Sequence, residues 1–221
     1  MQSLGIVRST LAGITAFLIG VMQFGAVTAA DEAQVLKGEE LFGENCIDCH
    51  QEKGRGRPGV APSLTGKEFL SVASDEFLTA TIRDGRTDTN MAAFGEYLST
   101  EEINALVVYL RSMSILPDRS KAVEAELSAM GDPRLGRLWF NQICAGCHGP
   151  NGEGYEEEGS GTAIGKASFL NIASDGFLRA IIRNGRSNSP MRGLSGPAGL
   201  ANLSDQEIDD IISYMRTLPG K

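Results

Sequence analysis

Residues 46–50 read Cys-Ile-Asp-Cys-His, and residues 144–148 read Cys-Ala-Gly-Cys-His. These two pentapeptides contain all four cysteines and both histidines of the 221-residue chain. In a helical turn, residues three and four positions apart are neighbours on one face. Each pentapeptide therefore predicts a cluster of two thiols and one imidazole on the same face of a helix.

An internal repeat surrounds the pentapeptides. Residues 73–86 read ASDEFLTATIRDGR and residues 173–186 read ASDGFLRAIIRNGR, so ten of the fourteen positions are identical. Repetition at a constant spacing indicates two copies of one structural unit. We expect a first domain at residues 31–113, a linker at residues 114–132 and a second domain at residues 133–221.

Helical patterns dominate both copies. Each copy ends with a segment that begins with a capping box, formed by Ser99 with Glu102 and by Ser204 with Glu207. Apolar residues follow at helical spacing, and alternating strand patterns are scarce. The sequence therefore predicts an all-α chain, with a short linker helix expected around residues 121–130.

Two opening helices are expected just before the pentapeptides, at residues 35–45 and 134–143. Gly38 lies in the first and Gly136 in the second, and a glycine permits close approach of two backbones. We therefore expect each opening helix to cross the closing helix of its own domain, against Tyr109 in the first copy and Tyr214 in the second.

The pentapeptides have the attachment pattern of a c-type haem. Disulfides are one alternative, but they need no histidine after both cysteine pairs. A zinc site would use the four cysteines together, which their wide separation disfavours, and a thioredoxin-like redox pair would need a βαβ context that the sequence lacks. The sequence therefore predicts two covalently bound haem c groups. The attachment residues are Cys46 and Cys49 for haem 1 and Cys144 and Cys147 for haem 2, and the proximal iron ligands are His50 and His148.

The second axial ligand of each iron cannot be a histidine of the same monomer, because both histidines are already used. Of the methionines, Met91 and Met191 occupy matched loops after the repeated Gly-Arg dipeptides, and we expect them to ligate the irons of haem 1 and haem 2. Packing in the core is the alternative for both. The arginines of those dipeptides, Arg86 and Arg186, are expected either to pair with haem propionates or to lie on the surface.

The N-terminus and the overall charge bear on location and partners. Residues 1–30 have the pattern of a cleaved export signal, with an uncleaved membrane anchor as the alternative. A formal net charge of −8 disfavours nucleic acid, and it favours either a protein partner with a basic patch or solubility alone. We therefore expect a periplasmic protein, with membrane association through an uncleaved N-terminus or a complex also open.

With these features, residues 33–218 resemble a tandem class I cytochrome c. The resemblance implies two small helical bundles around largely buried haems and a role in single-electron transfer. In that family a proline carbonyl holds the N–H of the proximal histidine, and Pro62 matches this role for His50. The second copy has no proline at Thr162, Ala163 or Ile164, so another carbonyl must orient His148 and the two haem potentials should differ.

The function expected from this resemblance is electron transfer without substrate chemistry. The first hypothesis is a soluble carrier between a quinol-oxidising complex or dehydrogenase and a terminal oxidase or reductase. The second is a fixed cytochrome subunit of a membrane respiratory or dehydrogenase complex. A diheme peroxidase or a sulfur-oxidising enzyme is the third hypothesis, and it requires an open iron site.

Overall fold

The computed structural model describes residues 29–157 and 159–218, and the predicted export segment lies outside them except for its last two residues. The regular structure of the described residues is helical, with isolated bridges and no β-strand, which confirms the all-α prediction. In chain order the helices are α1 (Ala29–Asn45), α2 (Ile47–His50), α3 (Lys67–Val72), α4 (Asp75–Asp84), α5 (Thr100–Ser112), α6 (Ser120–Glu124), α7 (Pro133–Trp139), α8 (Ala145–His148), α9 (Ala167–Leu170), α10 (Asp175–Asn184) and α11 (Asp205–Met215).

The first half of the molecule contains α1 to α5, and the second half contains α7 to α11. Each half is built on a close crossing between its opening and closing helices. In the first half a Cβ on Gly38 would overlap the backbone carbonyl of Ala105, and in the second a Cβ on Gly136 would overlap that of Asp210. The predicted crossings of α1 with α5 and of α7 with α11 are therefore confirmed. The aromatic pairs beside these crossings are Phe42 with Tyr109, at 5.5 Å between ring centroids, and Phe140 with Tyr214, at 5.4 Å.

The helix starts are specified locally. Both predicted capping boxes are present, because Ser99 and Ser204 each exchange hydrogen bonds with a glutamate three residues later. Ser74 and Ser174 cap α4 and α10 through side-chain oxygens that accept from the backbone N–H three residues on. The repeated sequence thus begins the equivalent helices in the same way in both halves.

The two halves share one hydrophobic core. Phe77 of α4 and Phe177 of α10, which are equivalent positions of the repeat, stack at 4.7 Å between ring centroids. Phe69 and Phe169, also equivalent, pack edge-on against this pair at 6.2 to 6.4 Å. Equivalent surfaces therefore meet each other, as they do in a two-fold symmetric dimer.

The segment between the halves packs against both of them. Ser71 accepts a backbone hydrogen bond from Arg119 and donates its hydroxyl to the carbonyl of Pro117, each at 2.7 Å, while Val123 of α6 is buried in the core. Farther along, Arg179 of α10 binds the carboxylate of Glu126 at 2.7 Å.

The expected linker helix at residues 121–130 is therefore only partly correct, because α6 ends at Glu124. The N–H of Ala129 donates to the carboxylate of Asp175 at 2.7 Å, and Arg179 binds Glu126 in the same stretch. The N–H of Ala129, which a longer helix would use for a backbone bond, thus binds a side chain of the second half instead.

Candidate haem-binding sites

The two thiol-imidazole clusters lie at equivalent places in the two halves. Cys49 and His50 belong to α2, and Cys46 immediately precedes it. In the second half, Cys147 and His148 belong to α8, and the other cysteine closes a π-helical turn, Phe140–Cys144, that follows α7. One helical turn thus holds the three chemically active residues of each pentapeptide together, as their spacing predicts.

The four cysteines are unpaired. Cys46 and Cys144 are half-buried, whereas Cys49 and Cys147 are exposed. Burial, with a smaller effect of the neighbouring thiol, raises the pKa of Cys46 to about 11 and that of Cys144 to about 12. A thioredoxin-like pair instead relies on a thiol with a lowered pKa, so these environments do not suit that chemistry.

Both imidazoles are oriented by a backbone carbonyl. Nδ1 of His50 lies 3.0 Å from the carbonyl oxygen of Pro62, and Nδ1 of His148 lies 2.7 Å from that of Thr162. Because a carbonyl oxygen only accepts, Nδ1 must carry the proton in each ring. Nε2 therefore keeps its lone pair and is the nitrogen that can bind a metal.

The charge state of the imidazoles also suits a ligand. Burial is the main cause that lowers the pKa of both His50 and His148, and the positive charge of Arg186 lowers both further. The hydrogen bonds to Pro62 and Thr162 act in the opposite direction. Both rings are thus kept in the neutral form that coordinates a metal.

The methionine loops follow α4 and α10 and have matching backbones. Gly85 and Gly185 end these helices with φ of 65° and 72°, a region that favours glycine. Each loop then closes on itself through a hydrogen bond from the N–H of Arg86 or Arg186 to the carbonyl of the methionine, at 2.9 and 2.8 Å. The methionines that close these two rings, Met91 and Met191, are both half-buried.

The two loop arginines lie at the contact between the halves. Arg86 donates to the carbonyl of Ser168 at 2.5 Å, and Arg186 donates to the carbonyl of Ser63 at 2.7 Å. Their guanidinium groups also lie over phenylalanine rings of the shared core. The expectation that they are plain surface residues is wrong, because each binds a carbonyl of the opposite half.

Glu68 and Ser187 were not singled out from the sequence, yet they join the halves beside the second methionine loop. The backbone N–H of Ser187 donates to the Glu68 carboxylate at 2.7 Å, and the Ser187 hydroxyl accepts from the N–H of Lys67 at 2.9 Å. These partners lie about 120 positions apart, and no local pattern reports such a pairing.

The residues present fit a covalently attached haem in each half. Each half offers two unpaired thiols beside a neutral imidazole with a free Nε2. Among the residues that the structure describes, no three His, Cys, Asp or Glu side chains converge as an alternative metal site.

The helices within residues 29–157 and 159–218 include none that is both long and apolar enough to cross a bilayer.

Comparison with known proteins agrees with this description. Residues 33–110 match the family model described as cytochrome c oxidase, cbb3-type, subunit III, and residues 134–219 match the cytochrome c model. Two tandem cytochrome c domains define the class of the molecule. The chain belongs to the class I c-type cytochromes, a family of electron-transfer proteins, and is a diheme member with two covalently bound haem c groups.

Several relatives are subunits of an oxidase. The chain is 30% identical over 199 residues to the cbb3-type cytochrome c oxidase subunit CcoP of Rubrivivax gelatinosus, covering 90% of this chain and 59% of that protein. It is 30% identical over 193 residues to the subunit FixP of Bradyrhizobium diazoefficiens, covering 83% and 61%. The chain thus spans about three fifths of the length of these relatives.

A solved structure shares the fold. A chain of the Kuenenia stuttgartiensis reducing HAO-like protein complex superposes with a TM-score of 0.50 at 20% sequence identity. The match covers 83% of this chain and 96% of that one. At this identity, the likeness extends to the arrangement of helices alone.

Proposed function

We propose that the protein carries single electrons through two haem groups that are each ligated by a histidine and a methionine. His50 and Met91 would ligate iron 1, and His148 and Met191 would ligate iron 2. The observation that carries the proposal is that both histidines donate Nδ1–H to a carbonyl and keep Nε2 free, in a chain without a third histidine.

Each haem group would supply an iron that is reversibly oxidised and reduced by one electron. The protein would hold each group through thioether bonds, formed as Cys46 and Cys49, or Cys144 and Cys147, add across the vinyl groups. The carbonyls of Pro62 and Thr162 hold each imidazole in one orientation. Such support keeps the ligands of both oxidation states in similar geometry, which favours rapid electron transfer.

The methionine loops would supply the second protein ligand of each iron. A thioether ligand would favour ferrous iron and raise the potential, and an iron held by both a histidine and a methionine would leave no site for oxygen or peroxide. The loop backbones are closed by the bonds from Arg86 to Met91 and from Arg186 to Met191. This closure would keep the thioether in place and favours electron transfer over catalysis at the iron.

We further propose a division into a first cytochrome domain at residues 31–113, a connecting segment at residues 114–132 and a second domain at residues 133–221. Residues 1–30 would direct export to the periplasm. The protein would pass electrons between a quinol-oxidising complex or dehydrogenase and a terminal oxidase or reductase. Two relatives named as subunits of a cbb3-type oxidase favour a specific version, in which the chain is itself a cytochrome subunit of an oxidase complex.

A redox titration of the purified holoprotein tests the ligand set. Met91→Ala and Met191→Ala should each remove the near-infrared methionine-to-iron charge-transfer band of one haem and lower one midpoint potential. Met130→Ala is the control, since Met130 is 84% exposed and should leave both haems unchanged. Unaltered spectra in both loop variants, or release of the pigment by heating in denaturant, would contradict the proposal.

Fractionation of the native host cell separates the two versions of the function. A processed N-terminus and a haem protein in the soluble extract would support the carrier. Co-purification with an oxidase from the membrane fraction would support the subunit. Rapid reaction of the reduced protein with peroxide or carbon monoxide would instead indicate an open iron and an enzymatic role.

A further inference from the structure

One residue of the second half is bonded to the ligand segments of both haem sites. The carbonyl of Pro62 accepts from Nδ1 of His50, and the next carbonyl along the chain, that of Ser63, accepts from the Arg186 guanidinium at 2.7 Å. The backbone N–H of Arg186 donates to the carbonyl of Met191 at 2.8 Å. Arg186 thus joins the segment that orients the histidine of haem 1 to the loop that carries the methionine of haem 2.

The neighbouring contacts hold this junction in place. The Arg186 guanidinium lies 4.3 Å from the centroid of the Phe69 ring. The next residue, Ser187, is bonded to Glu68 and to the N–H of Lys67. Asn188 completes the set with a longer hydrogen bond, at 3.4 Å, to the carbonyl of Thr65. Residues 63–69 of the first half therefore form the surface on which the methionine loop of the second half packs.

Arg186 places a positive charge at this junction. Burial lowers the pKa of Arg186 to about 10, so the guanidinium remains protonated at neutral pH, and Tyr155 and Glu68 act against this shift. The charged group is bonded to the carbonyl of Ser63, next to the Pro62 carbonyl that orients His50, and it belongs to the loop that carries Met191. Its field therefore acts close to both ligand segments.

The equivalent residue Arg86 provides a contrast within the same chain. Its backbone N–H is bonded to the carbonyl of Met91, its guanidinium lies over two phenylalanine rings, and burial also lowers its pKa to about 10. Its partner across the contact is Ser168, six residues beyond the Thr162 carbonyl that orients His148. Arg86 therefore bridges the two halves without touching the segment that holds the other histidine.

We propose that Arg186 is a positioning residue shared by the two haem sites, and that its bonds and its positive charge tune both reduction potentials together, whereas Arg86 affects only the first site. A positive charge near an iron disfavours the ferric state, which carries one more positive charge than the ferrous state, so Arg186 raises both potentials. The inference rests on the ligand set proposed above.

The test compares matched variants of the full-length holoprotein in a redox titration. Met91→Ala and Met191→Ala first assign each potential to its haem. Arg186→Gln should then lower both potentials, changing each reduction equilibrium constant by about tenfold, which corresponds to about 59 mV for one electron. Arg86→Gln removes the equivalent interdomain arginine of the first half and should lower the potential of haem 1 alone.

Two further variants keep the test decisive if Arg186→Gln does not fold. Arg186→Lys keeps the positive charge, so both potentials should stay near their original values. It removes the planar guanidinium with its several N–H donors, so the charge-transfer band of haem 2 should weaken. Glu68→Gln removes a negative charge that is bonded to the residue after Arg186, so both potentials should rise.

The outcomes separate this inference from the proposed function. A shift of one potential alone in Arg186→Gln, no shift of either potential in Glu68→Gln, or an equal shift of both potentials in Arg86→Gln would overturn the shared role of Arg186. If Met91→Ala and Met191→Ala still removed their charge-transfer bands, the ligand set would stand. Loss of the ligand set would be seen instead as unchanged spectra in the methionine variants.

Discussion

The two haem sites hold their histidines through the same hydrogen bond but with different residues. The first site uses the carbonyl of Pro62, the residue typical of class I cytochromes, and the second uses the carbonyl of Thr162, at 3.0 and 2.7 Å from Nδ1. Because the acceptor is a backbone oxygen, the position of the chain matters more than the identity of the side chain. A departure from the family pattern in sequence therefore need not remove the interaction.

The helices that lead into the two sites differ more. The side chain of Asn45 donates to the carbonyl of Leu41 at 2.9 Å where α1 ends. The equivalent residue of the second half is Ile143, which has no side-chain donor, and there the chain forms the π-helical turn Phe140–Cys144. In this turn the backbone N–H of Ala145 donates to the carbonyl of Phe140, five residues earlier, as is typical of a π turn. Two routes thus lead to the same arrangement of thiols and imidazole.

The shared aromatic core provides the largest test of how separate the two halves are. Phe177→Ala should destabilise the holoprotein by about 4 kcal/mol, because it empties a site lined by rings from both halves. Denaturant unfolding followed at both haems should still give one transition, shifted to lower denaturant. Tyr97→Ala, at a residue 78% exposed, is the control and should change stability by less than about 0.5 kcal/mol. Early unfolding of one half alone would show that the halves are independent.

The close helix crossing in each half can be broken separately from the interface. Gly38→Ala should cost about 3 kcal/mol, because the new methyl group would overlap the backbone of α5. Gly43→Ala lies on the same helix with no atom within 4 Å of the new Cβ, and it should stabilise by about 0.5 to 1 kcal/mol through helix propensity. Chemical denaturation of the two variants gives the comparison. Equal effects would mean that α1 and α5 are not in close contact in solution.

Arg179 marks a difference between the repeats, since the equivalent residue of the first half is Thr79. Arg179 binds Glu126 of the connecting segment and Asp209 of α11, at 2.7 and 2.8 Å. Arg179→Thr makes the second half like the first and should cost about 2 kcal/mol, because two carboxylates lose their partner. Arg183→Thr, which removes a more exposed pair with Asp205, is the matched control and should cost less. A smaller loss in Arg179→Thr than in Arg183→Thr would contradict the assigned role.

Local features of the fold were accessible from sequence because short-range chemistry specifies them. The capping box at Ser99 needs only two side chains three residues apart, and the crossing at Gly38 follows from a missing Cβ on a helix face. The pentapeptides are equally local, since a single helical turn brings their thiols and imidazole together.

Long-range features could not be read in the same way. Arg186 is bonded to a carbonyl 123 positions away, and Glu68 to an N–H 119 positions away. Arg86 and Arg186 both end an Ile-Arg-X-Gly-Arg sequence, yet the two arginines meet different segments of the opposite half. The repeat itself is the one sequence feature that indicates a contact between the halves, because two equivalent apolar surfaces can bury each other.

The smallest effect is expected when the proline whose carbonyl orients His50 is replaced, which tests whether the two sites need only a backbone oxygen. Pro62→Ala keeps the carbonyl that accepts from His50, so the potential of haem 1 should change little. Stability should fall by less than about 1 kcal/mol, because the variant mainly increases the entropy of the unfolded chain.

Pro58→Ala is the matched control for this last comparison. Pro58 lies in the same loop and is exposed. Its replacement by alanine should increase the entropy of the unfolded chain by the same amount, without affecting a bond to His50. Redox titration and thermal unfolding of the two variants should therefore give nearly equal results. A drop in the potential of haem 1 in Pro62→Ala alone would mean that the proline ring itself, and not only its carbonyl oxygen, holds His50 in place. In that case the second site, which has Thr162 instead, would have a less constrained imidazole than the first.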